Sequence, residues 1–196
     1  MRVELDSHAD TCVVGNSCAL ITHDFDRPVR VFGYDGTLGE AKPCKTVSAV
    51  VAYDDPSGVT YMLVLNQAIL VERMKSVLLS TSQVREHGVR INDEPKHLVL
   101  NPTEDHHCIQ IPLPSSNQNA PALLRVPLSM TGVISYFPVR RPSLSEYEQC
   151  PLDCVLAITS EEPEWDPDTT RLLTLKNPTC SVPTFLVLHL PTLLSP

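Results

Sequence analysis

Two apolar runs separated by a short turn limit what this chain can fold into. Thr46-Val47-Ser48-Ala49-Val50-Val51-Ala52-Tyr53 and Thr60-Tyr61-Met62-Leu63-Val64-Leu65 are rich in β-branched and aromatic residues, which suit a pleated surface better than a helix. Asp54-Asp55-Pro56-Ser57-Gly58 lies between them with the residue types of a turn, so two strands and a turn are predicted. Both runs are nearly continuous in apolar residues and are therefore expected in the core. Ahead of them, residues 29–34 alternate as a strand and Asp35-Gly36 is a strong hairpin signal. Residues 22–28 read as a polar connection.

The segment Glu4-Leu5-Asp6-Ser7-His8-Ala9-Asp10-Thr11-Cys12-Val13-Val14 enters as a strand, turns on an acid, a hydroxyl and a second acid, and leaves as a strand. Such a turn holds a carboxylate at its tip, which makes Asp6 the candidate working residue. The same residues also suit a plain Asx-type turn between strands. The pattern resembles the active-site loop of the retropepsin-like aspartic proteases of retroviruses and copia-type LTR retrotransposons, Asp-(Thr/Ser)-Gly-Ala followed by an acid and Thr. Asp6, Ser7, Ala9, Asp10 and Thr11 match it, and His8 stands where the family has Gly.

A second motif lies downstream. Leu78-Leu79-Ser80-Thr81-Ser82-Gln83-Val84 reads as an apolar strand entering a short helix, with Gly88 as the helix stop and residues 89–91 as the strand beyond. It resembles the copia form Asn-Leu-Leu-Ser-Val-Ser-Gln-Leu, at a distance from Asp6 that suits one subunit. The resemblance spans residues 2–100 and implies an all-β, retropepsin-like acid protease half-barrel with one short helix. It also implies an aspartic endopeptidase that cleaves polyprotein peptide bonds as a homodimer, because no second Asp-Ser/Thr loop follows. In such a pair two carboxylates share one proton, since both cannot ionise side by side. One takes a proton from water while the other gives one to the peptide carbonyl.

Carried over residue by residue, Asp6 is the catalytic acid, Ser7 orients it, and His8, Ala9 and Asp10 lie along the substrate. Gly33, Tyr34, Asp35 and Gly36 correspond to the flap that closes over a bound peptide, and they equally suit an ordinary surface hairpin. Leu78, Leu79 and Ser80 support the site, the small Ser80 letting the helix pack beneath the loop. The partners implied are a second copy of the chain and a peptide or polyprotein, with no cofactor and no metal. His8 opens an alternative. Gly tolerates φ > 0 and close approach of a substrate, so an imidazole there fits an inactive relic of the same fold that binds peptide or dimerises. Five residues precede Asp6, where the family has a longer N-terminal hairpin, and this points the same way.

At 196 residues, 42% apolar and 19% charged, the chain has room for one domain and an extension. Pro102, Pro112, Pro114, Pro121 and Pro127 interrupt the apolar runs beyond residue 100, and proline removes donors that a central strand needs. A boundary is expected there, with residues 1–100 as the protease domain and 101–196 as a proline-rich, partly disordered extension. Within it, residues 126–139 suit one or two edge strands, and Pro142-Ser143-Leu144-Ser145-Glu146-Tyr147-Glu148-Gln149 a capped helix start. A net charge of −8 lacks the basic excess that nucleic acid requires. No apolar run reaches the roughly 18 residues of a membrane span. Seven cysteines without framework spacing suit reduced thiols and a cytoplasmic protein. His106-His107-Cys108 and Cys150-x-x-x-Cys154 are the only hints of a metal, without the repeated pairs of a zinc site. Cys12 is expected as a buried apolar residue rather than a nucleophile.

Overall fold

The computed structural model of the chain describes residues 1–33, 43–114, 122–161 and 187–188, and they form a mostly β fold with two short helices. The chain opens with β1 (Arg2–Asp6), β2 (Val13–Val14), the long β3 (Leu20–Arg30) and β4 (Phe32–Gly33). Next come β5 (Pro43–Asp54) and β6 (Thr60–Leu70), the hairpin expected from the two apolar runs. Every residue from Thr46 to Tyr53 is buried, as a strand covered on both faces requires. The strands turn at Gly58, whose φ of +89° is open to glycine without strain.

β7 (Val77–Ser80) runs directly into helix α1 (Thr81–Glu86), which Ser80 caps by accepting from the Gln83 N–H. Gly88 follows at φ +85°, and then β8 (Arg90–Asn92). Further on lie β9 (Cys108–Pro112), β10 (Leu123–Pro127), β11 (Ser129–Thr131), β12 (Ile134–Pro138), helix α2 (Leu144–Glu148), β13 (Val155–Ala157) and β14 (Val187–Leu188). Ser143 and Glu146 form the capping box that starts α2.

The main sheet has the order β11-β12-β1-β7-β2-β6-β5-β3, with β13 also paired to β6. Among the described residues it does not close into a barrel, because β11 and β3 stand at its two ends. A smaller sheet has the order β10-β9-β8, and β14 pairs with β4. Residues 22–28, expected as a connection, lie inside β3 and pair with β5 through two register shifts, with Asp26 at φ 51°. An edge strand explains the difference. Its outer side faces solvent, so charged residues, bulges and Pro28 break no central ladder.

Strands from beyond residue 100 enter the same core. Ile109, Ile111, Leu124, Val126, Phe137, Leu156 and Ile158 cluster with Val3, Val51, Leu63, Leu65 and Leu79. β12 runs antiparallel to β1, with Val3 opposite Phe137, and β13 runs parallel to β6. Arg2 fastens the first of these contacts. Its Nε donates to Glu4 at 2.6 Å while its guanidinium sits 4.9 Å over the Tyr136 ring. The second is tied by a buried network in which the Asn66 N–H donates to Thr159 Oγ1 and the Ser48 hydroxyl to Asn66 Oδ1. Pro112, Pro127 and Pro138 fall at strand ends, where a missing N–H removes no central ladder bond. The prolines beyond residue 100 therefore punctuate the sheets without parting the packing.

Candidate active site

β1 and β2 follow one another in the chain but are not neighbours in the sheet. β7 lies between them, parallel to β1 and antiparallel to β2. The connecting loop must therefore cross the end of β7 where that strand becomes α1, and the register sets Asp6 beside Ser80.

Crossing bonds hold the loop there. The Ser80 hydroxyl donates to the Ala9 carbonyl at 2.8 Å, and the Ser80 N–H donates to Cys12 Sγ at 3.3 Å. The Ile69 N–H donates to the Cys12 carbonyl at 2.8 Å. Leu79 and Ser80 are fully buried beneath the loop, and Leu78 packs against Ala9 and Val13.

Asp6 is half-buried, and its Oδ1 accepts from the His8 N–H at 2.9 Å and the Ala9 N–H at 3.2 Å. Its Oδ2 has no hydrogen-bond partner among the described residues. One carboxylate oxygen is thus fixed by the backbone and the other is available to chemistry. Ser7, expected to orient Asp6, instead shares a 3.3 Å hydrogen bond with His8 Nδ1, and the two backbone donors do the orienting.

His8 is exposed, and its φ is not positive, so the loop accommodates an imidazole in place of Gly without backbone strain. Ala9, expected along the substrate, is 1% exposed and turns its methyl onto Val13, Ile69 and Leu78. Apolar burial wins for so small a side chain. Asp10 is half-buried. Gly33 ends β4, while Tyr34, Asp35 and Gly36 lie outside the described residues.

Gln83 is the supporting residue whose role sequence reasoning missed. Its side chain is buried, and Oε1 accepts from the Cys12 N–H at 2.9 Å. Its Nε2 approaches the Asn66 and Gln67 carbonyls at 3.4 and 3.5 Å. Those carbonyls belong to a bulge, where Asn66 and Gln67 together oppose the single Ser48 and Gln67 takes φ 56°. One amide thus joins the helix, the end of the Asp6 loop and the irregular point of β6. Its loss would strand the buried Cys12 N–H, a penalty of about 1–3 kcal/mol. The one available signal was a polar residue inside the second motif at a position facing the core.

Next to the loop is a half-open cleft of ≈ 180 Å³, lined by Leu5, Ser7, Thr81, Asp93, Met130 and Ser135 among others. Behind it the buried His107 bonds through Nε2 to the Ser135 hydroxyl at 3.1 Å. Burial holds the His107 imidazole below its usual value, Lys96 acts in the same sense, and Asp93 opposes them. The unfolded chain thus takes up this proton at higher pH than the folded one. Stability from the neutral ring is complete above about pH 6.5 and is lost as pH falls through the lower folded value. Thermal melts between about pH 7 and pH 5 are expected to fall more steeply for the native chain than for His107→Asn, which keeps a polar group but does not titrate. Equal slopes would remove His107 from the acid response.

Two residues of the metal hints make local bonds. His106 Nδ1 accepts from the Thr103 N–H, and Cys108 Sγ donates to the Asp105 carbonyl. Among the described residues no three His, Cys, Asp or Glu gather as a ligand set. The Cys12 thiol, fully buried, is pushed up to about 12 by desolvation and is no nucleophile at neutral pH. No helix among the described residues is long and apolar enough to cross a membrane. Comparison with protein-family models, with curated proteins and with solved structures gave no match to this chain.

Proposed function

We propose that this chain is an aspartic endopeptidase of retrotransposon origin, built on a retropepsin-like half-barrel and acting as a homodimer on polyprotein peptide bonds. The Asp6 loop carries the reading. It bridges two strands across the end of a third and fixes one carboxylate oxygen with two backbone donors, leaving the other uncommitted.

In the dimer the two Asp6 carboxylates share one proton. The ionised one takes a proton from water as the oxygen of that water bonds to the peptide carbonyl carbon, and the protonated one gives its proton to the carbonyl oxygen. As the tetrahedral adduct collapses the C–N bond breaks, the newly protonated carboxyl gives its proton to the leaving amine, and a hydroxyl of the adduct gives its proton to the other carboxylate, which restores the pair. His8 lies at the rim, where the peptide would pass. Reduced thiols fit a cytoplasmic site of action.

A second reading, an inactive relic of the same fold that binds peptide or dimerises, is favoured by the exposed imidazole of His8 beside the carboxylate. Native and Asp6→Asn chains, mixed in equal amounts and left to exchange, separate the possibilities at pH 4 to 6. Random pairing leaves about one quarter of the dimers with two Asp6, so about one quarter of the all-native cleavage is expected. A value of about one half would mean that each subunit works alone, against the shared site. Silence of the native chain, relieved by His8→Gly, would establish the relic with crowding as its defect.

A further inference from the structure

Resting on the homodimeric protease reading above, we propose that the β11–β12 hairpin is the surface on which two copies of this chain meet. β11 is the last strand of the main sheet, so one of its backbone edges has no strand partner among the described residues. The hairpin also reaches the catalytic loop. β12 pairs with β1 as Arg2↔Pro138, Val3↔Phe137 and Glu4↔Tyr136, and this register, continued, sets Val133 level with Ser7. Both residues line the cleft beside the loop, together with Leu5 and Met130.

The tip is apolar and uncovered. Val133 is 94% exposed and Ile134 38%. Gly132, at φ +61°, makes the turn, and a Cβ built there would meet nothing within 4 Å. Charge selects a second copy as the occupant. The chain carries −8 overall, yet no residue from 126 to 139 is charged, so two copies approaching through this segment avoid the repulsion that acidic surface elsewhere would impose. Asp93, the one acid lining the cleft, is paired with Arg85 at 3.3 Å. Any twofold axis that brings two Asp6 side chains together passes the C-terminal end of β1, and the hairpin stands there. The contact is isologous, each Val133 meeting the patch around the other.

Sedimentation equilibrium of the full chain, with peptide cleavage followed in parallel, tests this. Val133→Asp is expected to raise the dimer dissociation constant about 100-fold, since it sets like charges against each other across the axis. Cleavage should fall at low protein concentration and recover at high. Val133→Ser should weaken the dimer less. Leu152→Asp, at an equally exposed residue beside β13, should leave it unchanged.

A Val133→Asp dimer as tight as the native one, with cleavage intact, would overturn the hairpin contact and leave the protease reading standing. So would a weakened KM with unchanged association, which would make the tip a substrate contact. A native dimer that Val133→Asp dissociates but that cleaves no peptide would uphold the hairpin and overturn the protease.

Discussion

Asp6→Asn is expected to lower peptide cleavage at pH 4 to 6 by about 10²–10⁴-fold, the range that positioned acid–base groups supply. The fold should survive the change. Asparagine keeps the oxygen that accepts from the His8 and Ala9 N–H groups, so the Asx-type closure of the loop persists. What disappears is the second oxygen, which has no hydrogen-bond partner among the described residues and is replaced by an amide that neither takes a proton from water nor delivers one. Melting temperature and dimer dissociation constant measured beside the rate distinguish lost chemistry from lost structure. Activity that persists in the variant, with the fold intact, would remove Asp6 from the mechanism.

A chain ending at Leu100 is expected to lose cooperative folding altogether, although the resemblance in sequence stops there. It lacks β9 and β10, which complete the smaller sheet, and β12, which flanks the strand that carries Asp6. It also lacks β13 and the Thr159 hydroxyl, which satisfies the Asn66 N–H at the bulge. Ile109, Ile111, Leu124, Val126, Phe137, Leu156 and Ile158 leave the core together. At about 1.5–3 kcal/mol for each fully buried apolar side chain, their removal approaches or exceeds a whole-domain stability of about 5–15 kcal/mol. Calorimetry or urea titration of the shortened chain should give no sharp transition. A cooperative melt near that of the full chain would show that residues 1–100 stand alone.

The parts of the fold that depend on local chemistry were legible in the sequence. The β5–β6 hairpin followed from its apolar runs and its Asp-Asp-Pro-Ser-Gly turn, the first helix from its apolar entry and its Gly88 stop, and the second from its Ser143 cap. The loop bearing Asp6 was visible as a turn between two β-type segments. What was not legible depends on distant partners. Nothing near residues 22–28 says that β5 will continue far enough to hold them as an edge strand. Nothing near Phe137 says that its opposite residue is Val3. The contact of Ser7 differed and the role of Gln83 was missed for a similar reason, because a hydroxyl or an amide finds its partner only once the loop has been laid across β7.

The proposed catalysis by paired carboxylates makes a geometric demand that a crystal structure of the proposed homodimer can check, the separation of the two Asp6 side chains. Oxygens about 3 Å apart, close enough to hold a single proton between them, are the predicted result. Side chains beyond about 6 Å, too far for one charge to govern the other, or facing different surfaces, would contradict it.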